Sequence, residues 1–231
     1  MNVIDAAIDK GVEGVVALST DKASSPINLY GATKLASDKL FVAANSYAGY
    51  HPTKFSVVRY GNVMGSRGSV IPLFIKQIKS GENLTITDPS MTRFLMSLDE
   101  SIELVLHAFK SNDTGSIFVK KSPAATIENL AKALMIIFEK EVPIKIIGTR
   151  HSEKQYESLL SSEEAFRAED QVHYYRVPAD TRDLNYHEYS KYFTKGEQIK
   201  DHVDYNSIPK EGIFLKFNFG DHYVDVKEKR N

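Results

Sequence analysis

The chain has 231 residues, enough to bury a core in one large domain or in one domain with a smaller lobe. Its 29 Lys and Arg stand against 30 Asp and Glu, which leaves no basic field of the kind that draws nucleic acid or an anionic membrane. With no cysteine it has no disulfide framework or thiolate chemistry; no apolar run approaches the roughly 20 residues that span a bilayer, and the opening lacks the basic-then-apolar order of a signal peptide, so a cytoplasmic protein without membrane insertion is expected.

In chain order, Asn2 to about Lys10 carries a helical stripe (Val3, Ile4, Ala6, Ala7, Ile8) that Gly11 can stop. Val12 to Leu18 is a short β-branched run with the pattern of a buried parallel strand, and it ends in the polar Ser19, Thr20, Asp21 and Lys22. Pro26 precedes a long helix, Leu29 to Tyr47, with Leu35, Leu40, Phe41 and Ala44 expected inward and Gly49 as its cap. A strand at Phe55 to Tyr60, a helix at Val70 to Ser80, a strand at Leu84 to Thr87, a helix at Leu98 to Phe109 and a strand at Ser116 to Lys120 follow. A helix at Ile127 to Phe138 and a strand at Pro143 to Ile147 complete an α/β alternation. Arg150 to Leu160 reads as a charged segment closing a lobe, and His173 to Phe193, with Tyr174, Tyr175, Tyr186, Tyr189 and Tyr192, as an irregular tail. Its tyrosines are expected to pack.

The chemistry concentrates in Ser19 to Lys34, which sets a hydroxyl, a carboxylate and an amine at a strand end and then Tyr30 and Lys34 on the next helix. At a spacing of four these two share a helical face, where an ammonium can stabilise a phenolate that takes the proton of a sugar hydroxyl. Tyr60 to Val70 holds Gly61, Gly65 and Gly68 among Asn62, Arg67 and Ser69, a composition that lets backbone approach phosphate while Arg supplies a permanent charge. The seven histidines show no ligand spacing, so no metal is expected.

These motifs resemble the extended short-chain dehydrogenase/reductase family, in which a strand ending Ser-Thr-Asp is followed by a Tyr-x-x-x-Lys helix. Lys22 after Asp21 resembles the inverting UDP-N-acetylglucosamine 4,6-dehydratases of the PseB and CapE type. The resemblance runs from about Asn2 to Leu160, and YYRVPADTRDLNY (Tyr174 to Tyr186) is similar to the CapE-like subgroup. It implies the C-terminal part of a Rossmann-type doubly wound parallel sheet with a smaller substrate-binding lobe. The expected division is a dinucleotide-binding part at 1–125 with a substrate-lobe insertion at about 63–95, the rest of that lobe at 126–165, and a C-terminal tail at 166–231.

The resemblance also implies roles. Tyr30, with Thr20 and Lys34, would oxidise C4 of the sugar with NADP or NAD as hydride acceptor, Lys22 would take the C5 proton, and Asp21 would protonate the departing C6 hydroxyl. Tyr30, Lys34, Tyr60 and Asn62 would meet the cofactor. Asn62, Arg67, Ser69, Arg93, Arg150 and Glu153 would bind the UDP-sugar, the last two within an Arg-x-x-Glu segment whose usual glycine is replaced by Ser152. A glycine-rich dinucleotide turn is not in this sequence; by the resemblance about 110 preceding residues would carry it, so a homo-oligomer or a complementing N-terminal half is the expected partner. Two rival readings remain. One is a sugar-nucleotide epimerase, which shares Thr20, Tyr30 and Lys34; the other is a catalytically silent fragment that binds a full-length homologue. The ending Ile208 to Asn231 suggests no function, though Phe214, Leu215, Phe217 and Phe219 can form a strand.

Overall fold

The computed structural model describes residues 1–111, 113–179 and 204–208, together with the strand backbones at 215–219 and 222–226. In chain order these form α1 (Asn2–Asp9), β1 (Gly14–Thr20), a single 3-10 turn (Asp21–Ala23), α2 (Leu29–Ala48), β2 (Lys54–Tyr60), β3 (Asn62–Val63) and α3 (Val70–Ser80). Next come β4 (Leu84–Ile86), β5 (Thr92–Met96), α4 (Leu98–Ser111), β6 (Ile117–Lys120), β7 (Ala124–Thr126), α5 (Ile127–Ile137) and β8 (Ile144–Ile146). Then follow β9 (Ser158–Leu160), α6 (Ser162–Arg167), β10 (Glu169–Gln171), β11 (Tyr174–Val177), β12 (Tyr205–Asn206), β13 (Leu215–Phe219) and β14 (His222–Val226). The chain divides into two compact units, residues 1–60, 99–121 and 158–206 in the first and 61–98, 122–157 and 207–231 in the second.

The first unit is built on a sheet of order β1-β2-β6-β11-β10. β1, β2 and β6 run parallel, and the β10–β11 hairpin extends them antiparallel. Side chains alternate across a strand. Phe55 therefore packs on one face with Ile4, Ala7, Ile8, Ala44 and Ala48 from α1 and α2, while Val58 packs on the other with Leu104, Ala108 and Phe118. Helices on both faces of a mostly parallel sheet make this an α/β fold. The larger of these side chains, Phe55, Val58, Leu104 and Phe118 among them, each stabilise the fold by roughly 1.5–3 kcal/mol when fully buried.

Four expectations are corrected here. β1 is half-buried rather than buried, because among the described residues it is an edge strand paired on one side only. Leu40 faces outward, 43% exposed; the inward position on that stretch of α2 is taken by Asp38, which has a buried cationic partner. The stretch 169–177 is a hairpin rather than part of an irregular tail. Its partner strand β6 would otherwise leave an edge of unpaired amides, which the register from Tyr174–Lys120 to Val177–Ile117 satisfies. The end of the charged Arg150 to Leu160 segment is likewise β9, fully buried and paired with β12. Tyr186, Tyr189, Tyr192 and Phe214 lie outside the described residues.

The second unit packs α3 and α5 around β4, with Phe74, Ile78, Leu84, Ile86, Leu130 and Leu134 at its centre. Its other strands form the sheet β3-β5-β7, the parallel pair β4-β8 and the hairpin β13-β14.

Candidate active site

In the first unit, β1 delivers Thr20 as the N-cap of the turn Asp21–Ala23, its hydroxyl accepting from the Lys22 amide at 3.4 Å. The same hydroxyl donates to Asp21 Oδ1 at 2.8 Å, and Lys22 Nζ donates to that oxygen at 2.9 Å. Asp21 is wholly buried, and its Oδ2 has no hydrogen-bond partner. The Lys22 side chain keeps 35% of its surface. One carboxylate oxygen thus gathers two donors while the other is desolvated and unpaired, an arrangement costly in a passive turn.

α2 then starts close against that turn. Asn28 caps it, accepting from the Gly31 amide at 2.8 Å. A Cβ on Gly31 would collide with the Lys22 carbonyl and come within 2.9 Å of Pro26. Glycine therefore sets how near Tyr30 and Lys34 sit to Asp21 and Lys22. Tyr30 is 53% exposed, and Lys34 Nζ donates to the Leu18 carbonyl at 3.3 Å, so the helix face is held at the carboxyl end of β1. Tyr60 ends β2 beside it; burial first, and the neighbouring Tyr30 second, push the Tyr60 phenol up.

The second unit carries the other expected residues. Gly61 packs on Phe94, where an added Cβ would stand 2.5 Å from the Phe94 Cβ. Asn62 and Val63 pair with Leu95 and Met96, and the loop beyond turns through Gly65 and Gly68, both at positive φ, into α3. A cavity of about 300 Å³ opens there, with Asn62, Ser69, Thr87, Arg93, Arg150 and Glu153 in its lining and an apolar wall that includes Ile71, Phe74 and Leu130. Ser69 is the N-cap of α3, and its hydroxyl is buried without a hydrogen-bond partner. A helix N-terminus with a spare hydroxyl suits an anion. Arg67 is exposed and does not line this cavity.

Arg93 is engaged with backbone: it donates to the carbonyls of Thr92 at 2.7 Å and Lys154 at 2.9 Å, and reaches Gln155 at 3.4 Å. Glu153 Oε2 accepts from the Arg150 amide at 3.1 Å, closing a turn in which Ser152 takes φ 69°. That is the left-handed region that favours glycine, a physical reason for the glycine usual at this point of the motif.

Sequence reasoning missed two groups. Ser207 Oγ bridges the Thr92 hydroxyl and the Glu157 amide, each at 2.9 Å. In the first unit the buried Arg59 binds Asp38 and Glu164. Neither has a local signal, because the partners are far apart in the chain. Among the described residues no helix is long and apolar enough to cross a membrane. No cluster of His, Asp or Glu there could hold a metal.

Residues 1–179 match the polysaccharide biosynthesis protein family. The chain is 55% identical over 210 residues to the UDP-glucose 4-epimerase of Rickettsia rickettsii (strain Sheila Smith), covering 89% of this chain and 61% of that protein. It thus spans about three fifths of the length of the curated relatives it matches. The structure of Pen from Bacillus thuringiensis is similar at a TM-score of 0.77 and 36% identity, over 89% of this chain and 61% of the other. The dTDP-glucose 4,6-dehydratase of Bacillus anthracis str. Ames, solved in complex with NAD, shares the fold at a TM-score of 0.58 and 16% identity, over 65% of this chain and 54% of the other.

Proposed function

Because the chain belongs to the polysaccharide biosynthesis protein family, we propose that it carries the acid-base segment and nucleotide cavity of an enzyme that modifies a UDP-sugar. The finer reading is a 4,6-dehydratase of UDP-N-acetylglucosamine that inverts C5. The observation that carries it is the Asp21–Lys22 pair, buried at the carboxylate and joined at 2.9 Å.

Elimination of water needs one group that takes the C5 proton and another that gives a proton to the C6 hydroxyl. Transfer of the Lys22 proton to Asp21 along their hydrogen bond arms both at once, as a neutral amine and a carboxylic acid. Lys22 then takes the C5 proton, Asp21 protonates the leaving hydroxyl, and the pair returns to ammonium and carboxylate. Tyr30 takes the C4 hydroxyl proton in the preceding oxidation, with Lys34 beside it to stabilise the phenolate. Thr20, whose hydroxyl is given to Asp21, orients that carboxylate.

Tyr30 and Lys34 stand at the carboxyl ends of parallel strands, where α/β folds take up ligands, and Tyr30 is half exposed, which fits a nicotinamide cofactor. NAD or NADP, when bound, would accept the hydride from C4 and return it to C6. We assign uridine diphosphate to the cavity lined by Asn62, Ser69, Arg93 and Arg150.

A second reading is a 4-epimerase, supported by the name of the Rickettsia relative. It uses Tyr30 and Lys34 but needs no acid for water loss. Mass spectrometry of UDP-N-acetylglucosamine and of UDP-glucose, each incubated with the chain and NAD or NADP, separates them. Loss of one water supports the dehydratase, and an isomer of unchanged mass supports the epimerase.

A further inference from the structure

Among the described residues Arg59 is the largest side chain buried completely, and all five of its N–H donors are used within the first unit. Nε and Nη2 donate to Asp38 Oδ2 at 3.2 and 3.0 Å. Nη1 and Nη2 donate to Glu164 at 2.7 and 3.2 Å, and Nη1 also reaches the Leu159 carbonyl at 3.0 Å. One cation thereby joins β2, α2, β9 and α6. Glu164 is itself fixed, accepting from the Ser161 amide at 3.1 Å in a capping box.

The position of Asp38 gives the cluster a direction. Tyr30, Lys34 and Asp38 follow one another at intervals of four along α2 and so share a helical face. Arg59 is paired in register with Ser19, the residue before Thr20, and precedes Tyr60. A rigid planar fork locked between Asp38 and Glu164 fixes the rotation and depth of α2 against the ends of β1 and β2. One turn away along α2, Lys34 reaches the Leu18 carbonyl.

We propose that the Asp38–Arg59–Glu164 cluster is a positioning device for Tyr30 and Lys34, beyond any contribution to stability. The inference rests on the reading of Tyr30 as the group that takes the sugar proton. A buried ion cluster is a poor source of net stability, since desolvating three charges offsets their attraction, while its geometry is demanding. Such a cluster is suited to fixing one orientation.

The test is 19F NMR of the full chain with 3-fluorotyrosine placed at position 30, site-specifically because there are 12 tyrosines. Asp38→Asn and Glu164→Gln are expected to shift or split the position-30 resonance while far-ultraviolet circular dichroism is retained. Asn45→Ala supplies the comparison. It removes the other anchor of α2 on β2, where the Asn45 amide exchanges two hydrogen bonds of 2.9 Å with Phe55, and it is expected to lower Tm without moving the resonance. Asp38→Glu, which keeps the charge, is expected to restore the wild-type signal in part, and it replaces Asp38→Asn should that variant not fold. An unmoved resonance in folded Asp38 and Glu164 variants, or an equal movement in Asn45→Ala, overturns the proposal. Since the readout needs no turnover, a moved resonance in a chain that converts no UDP-sugar would leave the positioning role standing and remove the assigned activity.

Discussion

Lys22 Nζ lies 2.9 Å from Asp21 Oδ1, and the other oxygen of that buried carboxylate has no hydrogen-bond partner. On the proposed reading this pair takes one proton and gives another in the elimination. Accordingly, Asp21→Asn and Lys22→Met should each reduce water loss from the UDP-sugar by about 100-fold or more, the usual scale of an acid or base contribution. Oxidation at C4, followed as reduced cofactor absorbance in a single turnover, should survive in both.

Gly31→Ala should disrupt the same segment from the helix side. Its Cβ would meet a backbone carbonyl, that of Lys22, which cannot rotate away as a flexible side chain would. Overpacking of this kind costs about 1–3 kcal/mol, and chemical denaturation of the variant should show a loss at the top of that range. An unchanged midpoint would mean that α2 stands further from the turn than described.

Ser152→Gly should stabilise. Ser152 sits at φ 69°, and a residue with a Cβ in that region costs roughly 1–2 kcal/mol that glycine does not. The unfolding midpoint should rise, and UDP affinity measured by calorimetry should be kept or improved because the Arg150–Glu153 turn is unchanged in shape.

The two carboxylates on Arg59 should respond to acid in opposite senses. Burial pushes Glu164 up, but the Arg59 guanidinium together with the Ser161 amide outweighs it and holds the carboxyl below its ordinary 4.5. Its contribution to stability is therefore present above pH 4.5 and is lost as pH falls through the lowered folded value. Burial, with the charge of Glu164, raises Asp38 above its ordinary 3.8 despite Arg59, so its protonated form favours the native state at low pH and that contribution is lost as pH rises through the raised value. Urea unfolding at stepped pH should show Glu164→Gln flattening the acid loss of stability and Asp38→Asn steepening it. At neutral pH, breaking the Glu164 contact should cost about 3 kcal/mol.

What was legible in the sequence was local. Thr20, Asp21, Lys22, Tyr30 and Lys34 lie on one strand, turn and helix, so period and spacing alone bring them together, and the helix expected at Val70 to Ser80 has those same ends. The Arg59 cluster was not legible, because Asp38 lies 21 positions from Arg59 and Glu164 lies 105 positions from it, and nothing local pairs them. The helical stripe pointed to Leu40 as core, whereas the ion pair draws Asp38 inward and leaves Leu40 exposed. β5 was missed because Thr92–Met96 is buried on both faces and so lacks alternation. Arg93 stands in the cavity lining, and its anchoring on the carbonyls of Thr92 and Lys154, 61 positions away in the second case, is a contact that no local pattern shows.

The most direct test of the assigned chemistry is mass spectrometry of UDP-N-acetylglucosamine after incubation in D2O with NADP or NAD and the chain, alone and with a supplied N-terminal half carrying a dinucleotide turn. Elimination through Lys22 and Asp21 predicts a product lighter by one water that has gained one non-exchangeable deuterium at C5, where solvent replaces the proton removed. A product of unchanged mass with no deuterium on carbon, or no product in either incubation, would contradict the dehydratase reading.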